Sequence, residues 1–164
     1  MGPVKPLPHA AWGVEIGVAS LEEVGLAAVA REWSMDYTMV HKSVPLVRLH
    51  VHRRLVVWGW AGDQGEAALV ASELTTNAIN HARIVGHTML VRLAVLSNGG
   101  LVVDVSDPVP AFPDFGVHAA VDRLDECGRG LRLVRAVGGE VSWFLREHVG
   151  KTVRVEMPGE ASCG

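Results

Sequence analysis

The run Ser72-Glu73-Leu74-Thr75-Thr76-Asn77-Ala78-Ile79-Asn80-His81-Ala82 sets a carboxylate, a side-chain amide and an imidazole at intervals of four residues. On a helix with 3.6 residues per turn, Glu73, Asn77 and His81 project from one stripe. Ala67, Val70, Ala71, Leu74 and Ala78 border it on the apolar side. The helix is therefore expected to pack by one flank and to offer the polar stripe to a pocket. Glu73 is a candidate general base, and Asn77 supplies an amide oxygen of the hard type that magnesium prefers, with phosphates and waters completing an octahedron.

Three further groups could join them. Asp107 ends an apolar run and precedes Pro108, where a strand-end carboxylate can accept hydrogen bonds from an exocyclic amine. Gly128 and Gly130 flank Arg129 just before a helical pattern; unpaired N–H groups and the dipole at a helix start favour an anion, and glycine lets phosphate come close. Taken singly, each has a purely structural reading: a solvated helix face, a local hydrogen bond, a turn former, a strand-to-helix turn. Their joint occurrence in this order favours a nucleotide site. Two look-alikes drop out. Gly150-Lys151-Thr152 ends like a phosphate-binding P-loop, but the first glycine is replaced by Leu145 and the following residues alternate like a strand. His50 and His52 would diverge by about 200° on a helix, too far apart for one metal.

The elements that must position these groups follow from periodicity. Residues 1–19 carry Pro3, Pro6 and Pro8 without a clear period. Ser20 and Glu23 have the capping-box spacing, and Leu21, Val24, Ala27, Ala28 and Trp33 suggest a short amphipathic helix, followed by a strand over Tyr37 to His41. Pro45 suits the first turn of a second helix, with Val47, Val51, Leu55 and Trp58 on its apolar side out to Gly59. A third helix runs from Asp63 to Ala82. Alternation over Thr88–Ser97 and Leu101–Ser106 around Asn98-Gly99-Gly100 predicts a hairpin. An irregular loop reaches Cys127, a helix spans about Leu131 to Val137, and Glu140–Arg146 with Thr152–Met157 form a second hairpin. The order predicts an α+β sandwich, with helices on one face of a mainly antiparallel sheet.

Composition sets the outer limits. The 164 residues are 49% apolar and 20% charged, which suits one globular domain able to bury about 70% of its unfolded surface. A net charge of -3 argues against a protein that coats nucleic acid, and Arg48, Arg53 and Arg54 read as a solvated helix face. Cys127 and Cys163 are too few for a disulfide framework or a four-cysteine zinc site. No signal-peptide pattern and no run of about 18 apolar residues is visible, so a cytoplasmic location without membrane contact is expected.

Ser72 to Ala82, Val105-Ser106-Asp107, Gly128-Arg129-Gly130-Leu131 and Gly150-Lys151-Thr152 resemble, in order and approximate spacing, the N-box, adenine-binding Asp, G-box and closing hairpin of the histidine-kinase-like (Bergerat-fold) ATPases. The resemblance covers about residue 36 to Pro158 and is greatest to the small bacterial anti-sigma factor serine kinases. It leaves 1–35 as an N-terminal extension and 159–164 as a tail. It implies ATP and Mg2+ as cofactors, with ADP as product. Glu73 would polarise the attacking hydroxyl, Asn77 would ligate magnesium, and Asp107 would hold the adenine amine with help from Thr152. Gly128, Arg129, Gly130 and Leu131 would line the triphosphate, with His81 and Lys151 beside it. The chain departs from the DxGxG form of larger members at Asp107-Pro108-Val109-Pro110, where two prolines remove amide donors.

The implied function is an anti-sigma factor that holds a sigma factor and transfers the ATP γ-phosphate to a serine of an anti-anti-sigma (antagonist) protein. A homodimer is compatible with it. The alternative is a non-catalytic nucleotide- or partner-binding module of the same fold.

Overall fold

The computed structural model describes residues 27–110, 129–136 and 138–159. Along the chain these form β1 (Val29–Thr38), α1 (Ser43–Trp58), α2 (Gln64–Ala82), β2 (Thr88–Leu96), β3 (Leu101–Asp107), α3 (Arg129–Ala136), β4 (Glu140–Leu145) and β5 (Lys151–Met157). The strands make one five-stranded sheet in the order β1-β2-β3-β5-β4, antiparallel at every pairing. The expected α+β sandwich is what the chain forms.

Two tight turns make the hairpins possible. At Asn98-Gly99-Gly100 the Asn98 side chain accepts from the Gly100 N–H at 2.9 Å while Gly99 takes φ +85°. Gly150 enters β5 at φ +78°, and a Cβ there would run into the carbonyl of Asp107. Only glycine lets the two strand ends close up in this way.

Residues paired across a sheet share a face, and successive residues alternate. Met89, Val91 and Leu93 of β2, Leu101, Val103 and Val105 of β3, and Val155 and Met157 of β5 therefore line one face and are buried. Against them pack Val47, Val51 and Leu55 of α1 and the alanine-rich flank of α2, from Ala67 to Ala82. Asp63 caps α2 by accepting from the Glu66 N–H at 2.8 Å. Small side chains at 67, 68, 71, 78 and 82 let α2 lie close to both α1 and β3.

The opposite face carries charge. Asp104 accepts from Arg154 through both carboxylate oxygens, each at 2.8 Å, and from Arg92 at 3.1 Å. Arg92 continues to Glu32 of β1 at 2.6 Å, a hydrogen bond that holds the Glu32 carboxyl below its ordinary range. The network ties four strands, β1, β2, β3 and β5, by side chains as well as by the backbone ladder.

Trp33 does not extend a helix: it lies in β1, which begins at Val29 and ends at Thr38, so the strand expected over Tyr37–His41 starts earlier and stops sooner. Trp33, Met35 and Tyr37 alternate with Glu32, Ser34 and Asp36, and this period of two outweighs the helical spacing of Ala27, Ala28 and Trp33 once β2 is available to pair. The capping box at Ser20 and the loop up to Cys127 lie outside the described residues. Arg48 and Arg53 are exposed as expected, whereas Arg54 is half-buried, its guanidinium 5.5 Å from the Trp33 ring and 6.0 Å from the Trp58 ring. Tyr37 joins β1 to α1 through a 2.6 Å hydrogen bond to His50 Nδ1, and burial pushes its phenol up to about 12. No helix among the described residues is long and apolar enough to cross a membrane.

Candidate functional site

The connections decide which ends of the elements meet. Trp60, just before α2, donates its indole N–H to the Gly99 carbonyl at the β2–β3 turn, so α2 starts at that end of the sheet. Five residues after α2, β2 begins at the other end, where Thr88 pairs with Thr38. β3 finishes at this second end with Asp107, and β5 starts there with Lys151. α3 turns through Gly138 and Gly139 into β4 at the first end, which directs its N-terminal residues Arg129, Gly130 and Leu131 toward the second. The last turns of α2, the carboxylate of β3 and the start of α3 are thereby gathered at one end. Gly128 lies outside the described residues.

On α2 the packed flanks leave Leu69, Glu73, Thr76, Asn77, Asn80 and His81 as the outward stripe. Glu73 and Asn77 are half-buried, and His81 is exposed. The hydroxyls around them are spent on the helix itself: Ser72 donates to the Leu69 carbonyl, Thr75 to Ala71 and Thr76 to Ser72, at 2.7–2.8 Å. Among the described residues neither the Glu73 carboxylate nor the Asn77 amide has a hydrogen-bond partner. Half-buried polar atoms one helical turn apart and unengaged are suited to a ligand.

Asp107 is in a different condition. Its side chain is 2% exposed, and Lys151, at 4%, places its ammonium 2.9 Å from Oδ2 and 3.1 Å from Oδ1. The Val109 N–H donates to Oδ1 at 2.9 Å, and the Val109 carbonyl accepts from the same ammonium at 3.1 Å. Lys151, expected beside a triphosphate, is thus the direct partner of the candidate base-binding carboxylate. Thr152, expected to help that carboxylate, is on the other face of the sheet. Asp107 pairs with Lys151 and Ser106 with Thr152, and the Thr152 hydroxyl is 2.7 Å from that of Ser106. A shift of one residue along a strand reverses the face. The signal for Lys151 was the alternation of 151, 153, 155 and 157 against 107, 105, 103 and 101, visible only once β3 and β5 are known to pair.

A hollow of about 230 Å³ lined by Pro108, Pro110, Leu145, Arg146, His148, Val149 and Gly150 lies at the same end. It falls below the roughly 300 Å³ where ligand pockets begin, and neither Glu73, Asn77 nor Asp107 lines it. Among the described residues no cluster of three or more His, Cys, Asp or Glu could hold a metal by itself. A cation at Asn77 would take one oxygen from the protein and the rest from phosphate and water, the usual arrangement for magnesium.

Residues 40–157 match the family model of the histidine kinase-like ATPase domain. Among solved structures, the histidine kinase domain from the Erythrobacter litoralis EL346 blue-light activated histidine kinase is similar, with 29% identity and a TM-score of 0.42. The alignment covers 58% of this chain and 44% of that one, so this chain spans less than half the length of that structure. No curated protein matches the chain.

Proposed function

Because the chain belongs to the histidine kinase-like ATPase domain family, we propose that it binds ATP with magnesium at the α2 stripe and acts as a protein serine/threonine kinase of the anti-sigma type. In this reading it holds a sigma factor and phosphorylates a serine of the antagonist protein. The observation that carries it is the pair Glu73 and Asn77, one turn apart, half-buried and without partners among the described residues, on the helix whose C-terminal end reaches the sheet end that holds Asp107.

Each residue then has one task. Glu73 accepts the proton of the serine hydroxyl as its oxygen bonds to the γ-phosphorus, while the bond from that phosphorus to the bridging oxygen breaks and ADP departs. Asn77 would hold magnesium by its amide oxygen, and the ion when bound would supply neutralisation of the phosphate charge. The N–H groups at the start of α3 would line the phosphates, and Asp107, once released from Lys151, would accept from the exocyclic amine of the base. Phosphoryl transfer depends mainly on position and charge, so one base, one metal and a cradle of N–H groups suffice.

Incubation with radiolabelled ATP, magnesium and the cognate antagonist tests it. Label on an antagonist serine, lost in Glu73→Ala, supports the kinase. A second reading is favoured by the engaged state of Asp107 and by Pro108 and Pro110: a non-catalytic module that binds nucleotide or partner. ATP binding with no transfer to any antagonist serine would support that module instead.

A further inference from the structure

We infer that Lys151 sets the nucleotide affinity of this site by competing with the base for Asp107. The inference rests on the reading of Asp107 as the base-binding carboxylate. A carboxylate offers about four acceptor positions. On Asp107 the Lys151 ammonium takes one on each oxygen and the Val109 N–H takes another on Oδ1. With the two side chains 2% and 4% exposed, no open face of the carboxylate is left for an incoming amine.

A neutral exocyclic amine cannot replace an ammonium on hydrogen bonding alone, because a charge-assisted bond is roughly twice as strong as a neutral one. Base entry therefore requires the ion pair to open, and binding energy gathered elsewhere on the nucleotide is spent in opening it. The displaced ammonium is not stranded, since it already bonds the Val109 carbonyl at 3.1 Å. The described conformation is the closed form of the base subsite, and Lys151 is its closing group.

Removing a cation ordinarily weakens the binding of a polyanion such as ATP; here the opposite sign is expected. Lys151→Thr should bind MgATP about tenfold more tightly than the parent chain in calorimetry, while inorganic triphosphate, which has no base, binds no more tightly. Lys151→Arg, which keeps the ion pair and adds a bidentate grip, should bind MgATP several-fold more weakly; it tests the same point if the threonine variant does not fold. Asp107→Asn separates the two levels of the proposal. If it weakens MgATP binding while Lys151→Thr leaves affinity unchanged or lower, the competition is refuted and the base-site reading stands. If Asp107→Asn leaves MgATP affinity unchanged, the base-site reading itself falls. A gain for inorganic triphosphate equal to that for MgATP would also refute competition for the base.

Discussion

The outward stripe of α2 runs toward the end of the sheet where β3 finishes, yet the polar groups of the two regions are in opposite states. Glu73 and Asn77 are half-buried and have no partners among the described residues, whereas Asp107 is buried and has acceptors engaged on both oxygens by Lys151 and Val109. A helix can hold its side chains up to a ligand because its own backbone is satisfied internally. A carboxylate buried at a strand end has no such freedom, because leaving it unpaired costs several kcal/mol. The half proposed for the chemistry is thus open at rest, and the half proposed for the base is closed by the protein itself.

Substitutions should separate the halves. Glu73→Ala is expected to lower antagonist phosphorylation about 10²- to 10⁴-fold, the usual worth of a positioned general base, and to change unfolding free energy by no more than about 0.5 kcal/mol. Rates of label transfer and urea melts of the same preparation check both. Asp107→Ala should show the larger loss of stability, about 3–5 kcal/mol, because it removes one partner of a buried ion pair. An Asp107→Ala variant as stable as the parent chain would erase the contrast. Asn77→Ala is expected to weaken ATP binding about tenfold in magnesium and to leave binding unchanged in a chelator, which paired titrations would show.

The smallest expected effect concerns Tyr37 of β1. Burial raises its phenol to about 12, so its contribution to stability is complete below about pH 10 and is lost as pH rises through 12. Thermal melts across that range should fall less steeply for Tyr37→Phe than for the parent chain.

What was legible in the sequence divides along the same line. The α2 stripe depends on local spacing, and residues four apart on a helix are neighbours whatever the rest of the chain does. The hairpin at Asn98-Gly99-Gly100 and the apolar row Val47, Val51 and Leu55 were readable for the same reason. The partner of Asp107 was not, because β3 and β5 are separated by α3 and β4, and their register is fixed by the whole sheet rather than by any local pattern. That is why Thr152 was expected at a place that Lys151 holds. β1 was half missed: its alternating residues compete with a helical spacing, and only pairing with β2 settles the matter. The Asp104 network joins residues from β1, β2, β3 and β5, and it has no signature in any single segment.

Gly150 carries a last consequence. No side chain fits between its backbone and the Asp107 carbonyl, and Lys151, the first residue of β5, is held beside Asp107 by the antiparallel ladder. Any release of Asp107 must therefore come from rotation about the methylene torsions of Lys151, a motion of single bonds rather than of strands. Amide hydrogen exchange along Lys151–Met157 should accordingly be as slow with ATP bound as without it.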